Sequence, residues 1–542
     1  MSQRNSSPER VNTLIRGGLV FDGSGTPPEV KNITIKGEKI AYVGAESPDA
    51  DEIVPADGLF VSPGFIDTHA HSDFTLLADP NAAQGKLFQG ITTEINGNCG
   101  LSGGPMSGAA RAQREEDLEN YQIKERWESL GEYLNLLNEK GLYYNFATLV
   151  GHGNLRGSVI GYENRSPNKG ELERMKKLLG ESLEAGALGM STGLIYPPGI
   201  YSTTEELIQL AAYGHGIDPE FIYSTHMRSE GDKLLEAIDE AIRIGKAAGR
   251  LQISHLKTGG KRNWHKLDDA LALIEKEISG GARITADRYP YTAAATDLDA
   301  VLPQWMYEGG GEAELQRLKD PLIVERLKKE VVRGPDEWGR IVVSDTSCKE
   351  DQWAEGKNIM EIAAQLGLEP LQAVIHLLIR GSLSVGSIFH SMNEENLRRI
   401  YGLPWVMVGS DSSARAFEGI TARGKPHPRT FGTFPRFLKR YTIKREGREG
   451  GFKCEDLSES IRKVTRLPAN VFGLKGRGMV KEGYAADIAV FDFGKLKDTA
   501  TFSEPFQRAK GIVHLFVNGK RIIKDGVLTG QKGGKVLRHG GS

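Results

Sequence analysis

The 542-residue chain is 39% apolar and 26% charged, with 69 Lys and Arg against 71 Asp and Glu for a formal net charge of −2. This is ordinary globular composition with length enough for a large core, and its balanced charge offers no basic surface, so no nucleic-acid partner is expected. Three scattered cysteines (Cys99, Cys348 and Cys454), a polar start MSQRNSSPERVN and no apolar run of spanning length point to a cytoplasmic protein with no membrane partner.

From about residue 11 to 61 the chain reads as short strands: LIRGGLVFDG, NITIKG, KIAYVG and GLFVSPG, with alternation at Asn32-Ile33-Thr34-Ile35 and glycine stops. The long middle alternates short apolar strands with helical stretches, the mark of a parallel α/β fold. Its candidate strands are GFIDTHAH, ITTEINGNCG, NFATLVGHG, ALGMSTG, FIYSTHM, LQISHLK, RITADRYPY and VMVGSDS. Between them, Leu235, Ile238 and Ile242 recur on one helical face. The interval of roughly 292–403 is too long for one crossover, and LQRLKDPLIVERLKKEV and LQAVIHLLI give it helices of its own. The carboxyl end returns to strands, ADIAVFD, IVHLFVNGKRII and DGVLTG, with Asn518-Gly519 as a two-residue hairpin signal.

The expected architecture is therefore α/β: a (β/α)8 TIM-like barrel over 64–470 with an insertion at about 292–403, and a small β-sandwich domain built from both termini, 1–63 and 471–542. Two unrelated terminal sheet modules are the alternative.

In such a barrel the carboxyl ends of all strands converge on one rim. His69 and His71 follow the first strand and Cys99 the second; His226 ends the fifth, His255 the sixth and Asp411 the eighth. A single histidine at a strand end is ordinarily a structural group, a free cysteine a small buried hydrophobe, and Asp411 before Ser412 a helix cap. Donors at five of eight strand ends are not ordinary. Imidazole and thiolate together select Zn²⁺ over Mg²⁺ or Ca²⁺. His152, in a Gly-His-Gly turn after the third strand, is a candidate pocket residue, whereas His215, His265, His376, His390, His514 and His539 are expected to be structural.

SPGFIDTHAHSD, NGNCG, GHGNLR, STGLIYPPG, STHMRSEGD, QISHLK, DRYPYTAA, SDSSA, PHPRTFGTFPR and MVKEGYAADIAVFD together resemble the D-aminoacylase (N-acyl-D-amino-acid deacylase) family of the amidohydrolase superfamily, over nearly the whole chain. The resemblance implies hydrolysis of the acyl amide of a small-molecule N-acyl-D-amino acid. It implies one tightly bound zinc on Cys99, His226 and His255, and a second, weaker position on His69, His71 and Asp411. It makes Asp411 the catalytic proton-transfer residue. Superfamily members that bridge two metals with a carboxylated lysine carry it on the fourth strand; here Met190-Ser191-Thr192 stands there, and Cys99 looks like the substitute. The implied substrate contacts are Arg429, Lys257, Tyr196, and Tyr289 or Tyr291. Arg415 and Arg423, on the longer 412–428 loop, compete for the carboxylate-binding role. The alternatives are a cyclic-amide hydrolase resembling dihydroorotases or hydantoinases, and a non-catalytic barrel scaffold.

Overall fold

A computed structural model describes residues 11–442 and 454–539. All eight strands of the middle region form, the third in two segments broken at Leu149, and all pairings among them are parallel. Phe65–Asp67, Ile91–Asn96 and Asn145–Thr148 make one sheet; Val150–Gly151, Gly189–Gly193, Ile222–His226, Leu251–Ile253, Ile284–Arg288 and Val406–Val408 make a second, in chain order. The two sheets meet at both edges. Only Leu149 separates Asn145–Thr148 from Val150–Gly151, and its N–H donates to Asn96 O at 2.9 Å. At the other edge, Thr68 donates to Val408 O through N and Oγ1 (3.4 and 3.0 Å), and Asp411 N to His69 O (2.8 Å). Helices such as Lys169–Glu184, Thr204–Ile217, Leu234–Ala248 and Leu267–Ser279 run between successive strands. In Leu234–Ala248, Leu234, Ile238 and Ile242 turn inward, and Gly249 closes the helix in the left-handed conformation that glycine tolerates. The strands are buried along nearly their full length, which explains their unbroken apolar runs.

The two ends of the chain share one nine-stranded sheet. Ile488–Phe491 pairs antiparallel with Phe60–Pro63, Val490 opposite Val61, and this seam joins the amino-terminal strands to the carboxyl-terminal ones. Ile15, Ile33, Ile35, Val61, Ile488, Val490 and Phe516 pack together behind it. The Asn518-Gly519 turn has positive φ at both residues (47° and 76°), the twist a tight hairpin requires.

Between the seventh and eighth parallel strands lies a unit with its own apolar cluster, including Leu298, Met306, Trp338, Ile359 and Leu377. It contains an antiparallel sheet of Ala294–Asp297, Val385–Phe389 and Ile341–Thr346 that the sequence pattern did not reveal. The stretch read as one helical run divides at Asp320, which caps Pro321–Glu330 by accepting from Leu322 N and ends Gly311–Lys319. Among the described residues no single helix is long and apolar enough to cross a membrane.

Candidate metal centre

The strand ends bring six donors together in two groups that share one sulfur. The ligand atoms of Cys99, His226 and His255 lie within 4.8 Å of one another, as do those of His69, His71, Cys99 and Asp411. Cys99 Sγ is 3.3 Å from His69 Nε2 and 3.5 Å from His255 Nε2; Asp411 Oδ1 is 3.2 Å from His71 Nε2 and 3.5 Å from His69 Nε2. Three of these donors, Cys99, His255 and Asp411, sit at positive φ (52°, 37° and 51°). Such conformations cost free energy in non-glycine residues and persist where the surroundings enforce them. Around Cys99 the enforcement is steric: a Cβ on Gly193 would lie 2.1 Å from the Cys99 carbonyl oxygen, so the turn and the fourth strand touch backbone to backbone.

Carboxylates behind the imidazoles orient them. Asp287 accepts from Gln252 Nε2 (2.8 Å) and from His255 N (2.8 Å), and lies 3.3 Å from His69 Nδ1. Glu230 lies 2.8 Å from His255 Nδ1 and pairs with Lys257. Carboxylates at the far nitrogen fix ring orientation and raise ligand basicity. His226 differs from the rest: both of its ring nitrogens are buried without a hydrogen-bond partner. A buried polar atom left unpaired is costly, and here it faces a thiol and a second imidazole. The donor set thus fits a zinc ion, with sulfur and nitrogen ligands and unused capacity at His226.

The electrostatics agree. Burial works against charge throughout, yet the neighbouring imidazoles hold the Cys99 thiol well below its usual value. Asp287 and Cys99 hold His69 well above its own, also against burial. His255 is held at about 9: burial and Lys257 act downward, and Glu230, Asp411 and Cys99 outweigh them. Asp411 is buried, but Arg429, His255 and His71 keep its carboxyl well below the usual range. These directions describe thiolate and carboxylate stabilised by neighbouring cationic groups and the reverse, whereas burial lowers His226.

The implied substrate residues divide. Arg429 begins the helix Arg429–Arg440, and its Nη1 is 2.8 Å from Asp411 Oδ2. The guanidinium also lies 4.5 Å over the ring of Tyr289, whose buried hydroxyl has no partner. Tyr196 packs edge-on to His226 (5.2 Å between ring centroids) and its hydroxyl meets Thr296 Oγ1 at 3.0 Å. Lys257 Nζ is 2.9 Å from His255 Nδ1. The structure therefore gathers Arg429, Tyr289, Tyr196 and Lys257 around the donors. Tyr291 is turned elsewhere, with its hydroxyl 3.4 Å from Pro428 O and its ring under Arg436. His152 belongs to neither donor group: Nε2 hydrogen-bonds Glu206 Oε1 (3.0 Å), which also receives Arg156. Arg415 donates to the Arg423 carbonyl and Arg423 covers the Tyr121 ring, so neither pairs with Asp411. No helix follows Asp411 for it to cap.

Sequence reading assigned no role to Glu230, Asp287 or His427. Glu230 stands four residues after His226, but in a loop and not on a helix, so no periodicity marked it. His427 accepts the Arg429 N–H at Nδ1 (3.0 Å) and donates from Nε2 to Ala293 O (3.0 Å), seating the arginine.

The Amidohydrolase family profile matches residues 52–523. The chain belongs to that family. It is 34% identical to the D-aminoacylase of Alcaligenes xylosoxydans xylosoxydans, covering 99% of each chain, and 33% identical to the N-acyl-D-aspartate deacylase of the same organism, covering 99% of this chain and 97% of that one. Among solved structures, it resembles the N-acyl-D-glutamate deacylase of Bordetella bronchiseptica complexed with zinc and a phosphonate inhibitor that mimics the tetrahedral intermediate. That match has a TM-score of 0.81 and 30% identity, covering 98% of this chain and 100% of the other.

Proposed function

We propose that this amidohydrolase is a zinc-dependent N-acyl-D-amino-acid deacylase, cleaving the acyl amide to a carboxylic acid and a free D-amino acid. The observation that carries the reading is Asp411, a buried carboxylate placed between two imidazoles on one side and the guanidinium of Arg429 on the other. Full-length relatives that act on linear N-acyl-D-amino acids support it. The cyclic-amide alternative is not favoured, since the fourth strand, Gly189–Gly193, offers no lysine.

The eight parallel strands, linked at both sheet edges, support a (β/α)8 barrel over 64–470 with the insertion at about 292–403. The shared terminal sheet supports a small second domain made from 1–63 and 471–542. Cys99, His226 and His255 would hold the tight zinc; His69, His71 and Asp411 would provide a weaker second position. Zinc bound there would lower the pKa of a coordinated water from ~15.7 toward ~7 and polarise the scissile carbonyl. Asp411 takes the proton of the attacking water and returns it to the departing nitrogen, which leaves as an amine rather than as an amide anion. Arg429, whose planar fork matches a carboxylate, binds the substrate's α-carboxylate with Lys257 and Tyr289 beside it. Tyr196 lines the wall next to His226. A cytoplasmic location belongs to the same proposal, supported by the free thiols of Cys99 and Cys348.

The test is a chiral panel of N-acetyl and longer N-acyl D- and L-amino acids with zinc-loaded protein. Release of free D-amino acids is expected. No amine from any D-substrate, or ring opening of hydantoin or dihydroorotate instead, would overturn the reading.

A further inference from the structure

Asp411 lies in a strained stretch of backbone, held on one side by its N–H to His69 O (2.8 Å) and, on its flanks, by contacts from outside the donor cluster. Lys86 is fully buried, on the short helix Gln84–Leu87. Its Nζ donates to Ser410 Oγ at 2.7 Å, to Ser412 O at 3.1 Å and to Ser412 Oγ at 3.2 Å, the two residues flanking Asp411. The same ammonium pairs with Asp67 Oδ2 at 2.9 Å and Glu94 Oε1 at 3.0 Å. Asp67 then receives Ser410 N at 2.8 Å and His69 N at 3.3 Å through its other oxygen. Glu94 is anchored in turn by the Tyr144 hydroxyl at 2.7 Å.

We infer that Lys86 is a positioning residue for the deacylase reaction, a buried cationic clamp that ties the residues on both sides of Asp411 to the first and second strands and so holds its carboxylate in register with His69 and His71. The inference rests on the proposed function for Asp411 but names a residue that touches neither donors nor substrate. An ammonium buried only to stabilise the core would be poor design, because desolvating it is costly and well-packed apolar residues serve as well. This one spends three of its five contacts on a single short loop. The two carboxylates keep it charged despite burial, so the clamp stays formed. A cation suits this role because one ammonium donates to several oxygens that face each other across a turn, and no neutral side chain of that length does so.

The test compares wild type with Lys86→Met and with Ser410→Ala/Ser412→Ala, each as full-length zinc-loaded protein. The serine pair removes hydroxyl contacts while leaving the Lys86–Asp67–Glu94 ion cluster intact, so it decides the matter alone if Lys86→Met does not fold. Three readings are taken: kcat and KM on an N-acyl-D-amino acid cleaved by wild type, tightly bound zinc per chain, and the affinity of any second zinc added to the one-zinc form. Displacement of a catalytic group by ~1 Å is enough for roughly a 100-fold loss. The expected result for Lys86→Met is a kcat loss of that order with KM within about threefold, the first zinc retained, and the second zinc weakened roughly tenfold. A smaller change of the same pattern is expected for the serine pair. A kcat within about twofold of wild type in the folded variants, or a loss that merely tracks lost zinc or unfolded protein, would overturn the inference. If wild type itself cleaves nothing, the proposed function fails, and the clamp is then judged by second-zinc affinity, which the variants must weaken.

Discussion

Two buried clusters of imidazole and carboxylate follow strands of the same parallel set, and they are built to opposite ends. In one, His152 meets Glu206, and Arg156 closes on the same carboxylate through two contacts of 3.0 and 2.8 Å; the charges pair off within three residues. In the other, four imidazoles, a thiol and a carboxylate converge from five strand ends, and neither ring nitrogen of His226 has a hydrogen-bond partner. Burial is common to both and distinguishes nothing. What marks the second as a site is the convergence of ligand atoms, two groups lying within 4.8 Å and sharing one sulfur, held in place by strained backbone at Cys99, His255 and Asp411. The first cluster gathers one imidazole, one carboxylate and one guanidinium, and acts as a fastening between helix His152–Val159 and helix Thr204–Ile217.

The sharpest way to break this contrast is at Asp411. Asp411→Asn keeps shape and zinc but cannot accept the proton, so kcat should fall roughly 10³-fold with zinc content unchanged; steady-state kinetics with metal analysis would show it. In the fastening cluster the effect should reverse. Glu206→Gln leaves Arg156 charged and buried without a carboxylate, so about 3 kcal/mol of stability should go while kcat stays within about twofold, as read by urea unfolding alongside the same assay.

A subtler probe lies beside the site. Burial raises the Asp73 carboxyl to about 6 from 3.8, against the pull of His71. The folded protein therefore binds that proton more tightly than the unfolded chain. The resulting stability is complete below pH 3.8 and is lost as pH rises through about 6. Asp73→Asn keeps an acceptor for Gly103 N and removes the charge. It should be more stable than wild type by at most about 3 kcal/mol at neutral pH, with the gap closing toward pH 4. Unfolding curves at pH 4, 5.5 and 7.5 would follow it.

The eight strands and six donors were legible because both follow from periodicity: buried parallel strands read as apolar runs, and chemistry collects at their carboxyl ends. Asn518-Gly519 was legible for a similarly local reason. Lys86, Asp287 and Glu230 were not, since an isolated charge in sequence reads as solvated and only packing reveals the partner; the Ser410 bonded to Lys86 is 324 positions away. Tyr291 misleads because it sits two residues from Tyr289, yet a tight turn at Pro290, with Tyr291 N donating to Tyr289 O at 2.9 Å, sends the two phenols apart. The inserted unit hid its antiparallel sheet because Ile341–Thr346 and Val385–Phe389 are short and 38 residues apart between their ends.

The proposed catalysis rests on Cys99, His226 and His255 sharing one ion. X-ray absorption at the zinc edge of the one-zinc protein reads this directly. One sulfur at ~2.3 Å with imidazole nitrogens at ~2.0–2.1 Å is the predicted shell, and Cys99→Ser should lose the sulfur. A shell of nitrogen and oxygen alone in the wild-type protein would contradict it.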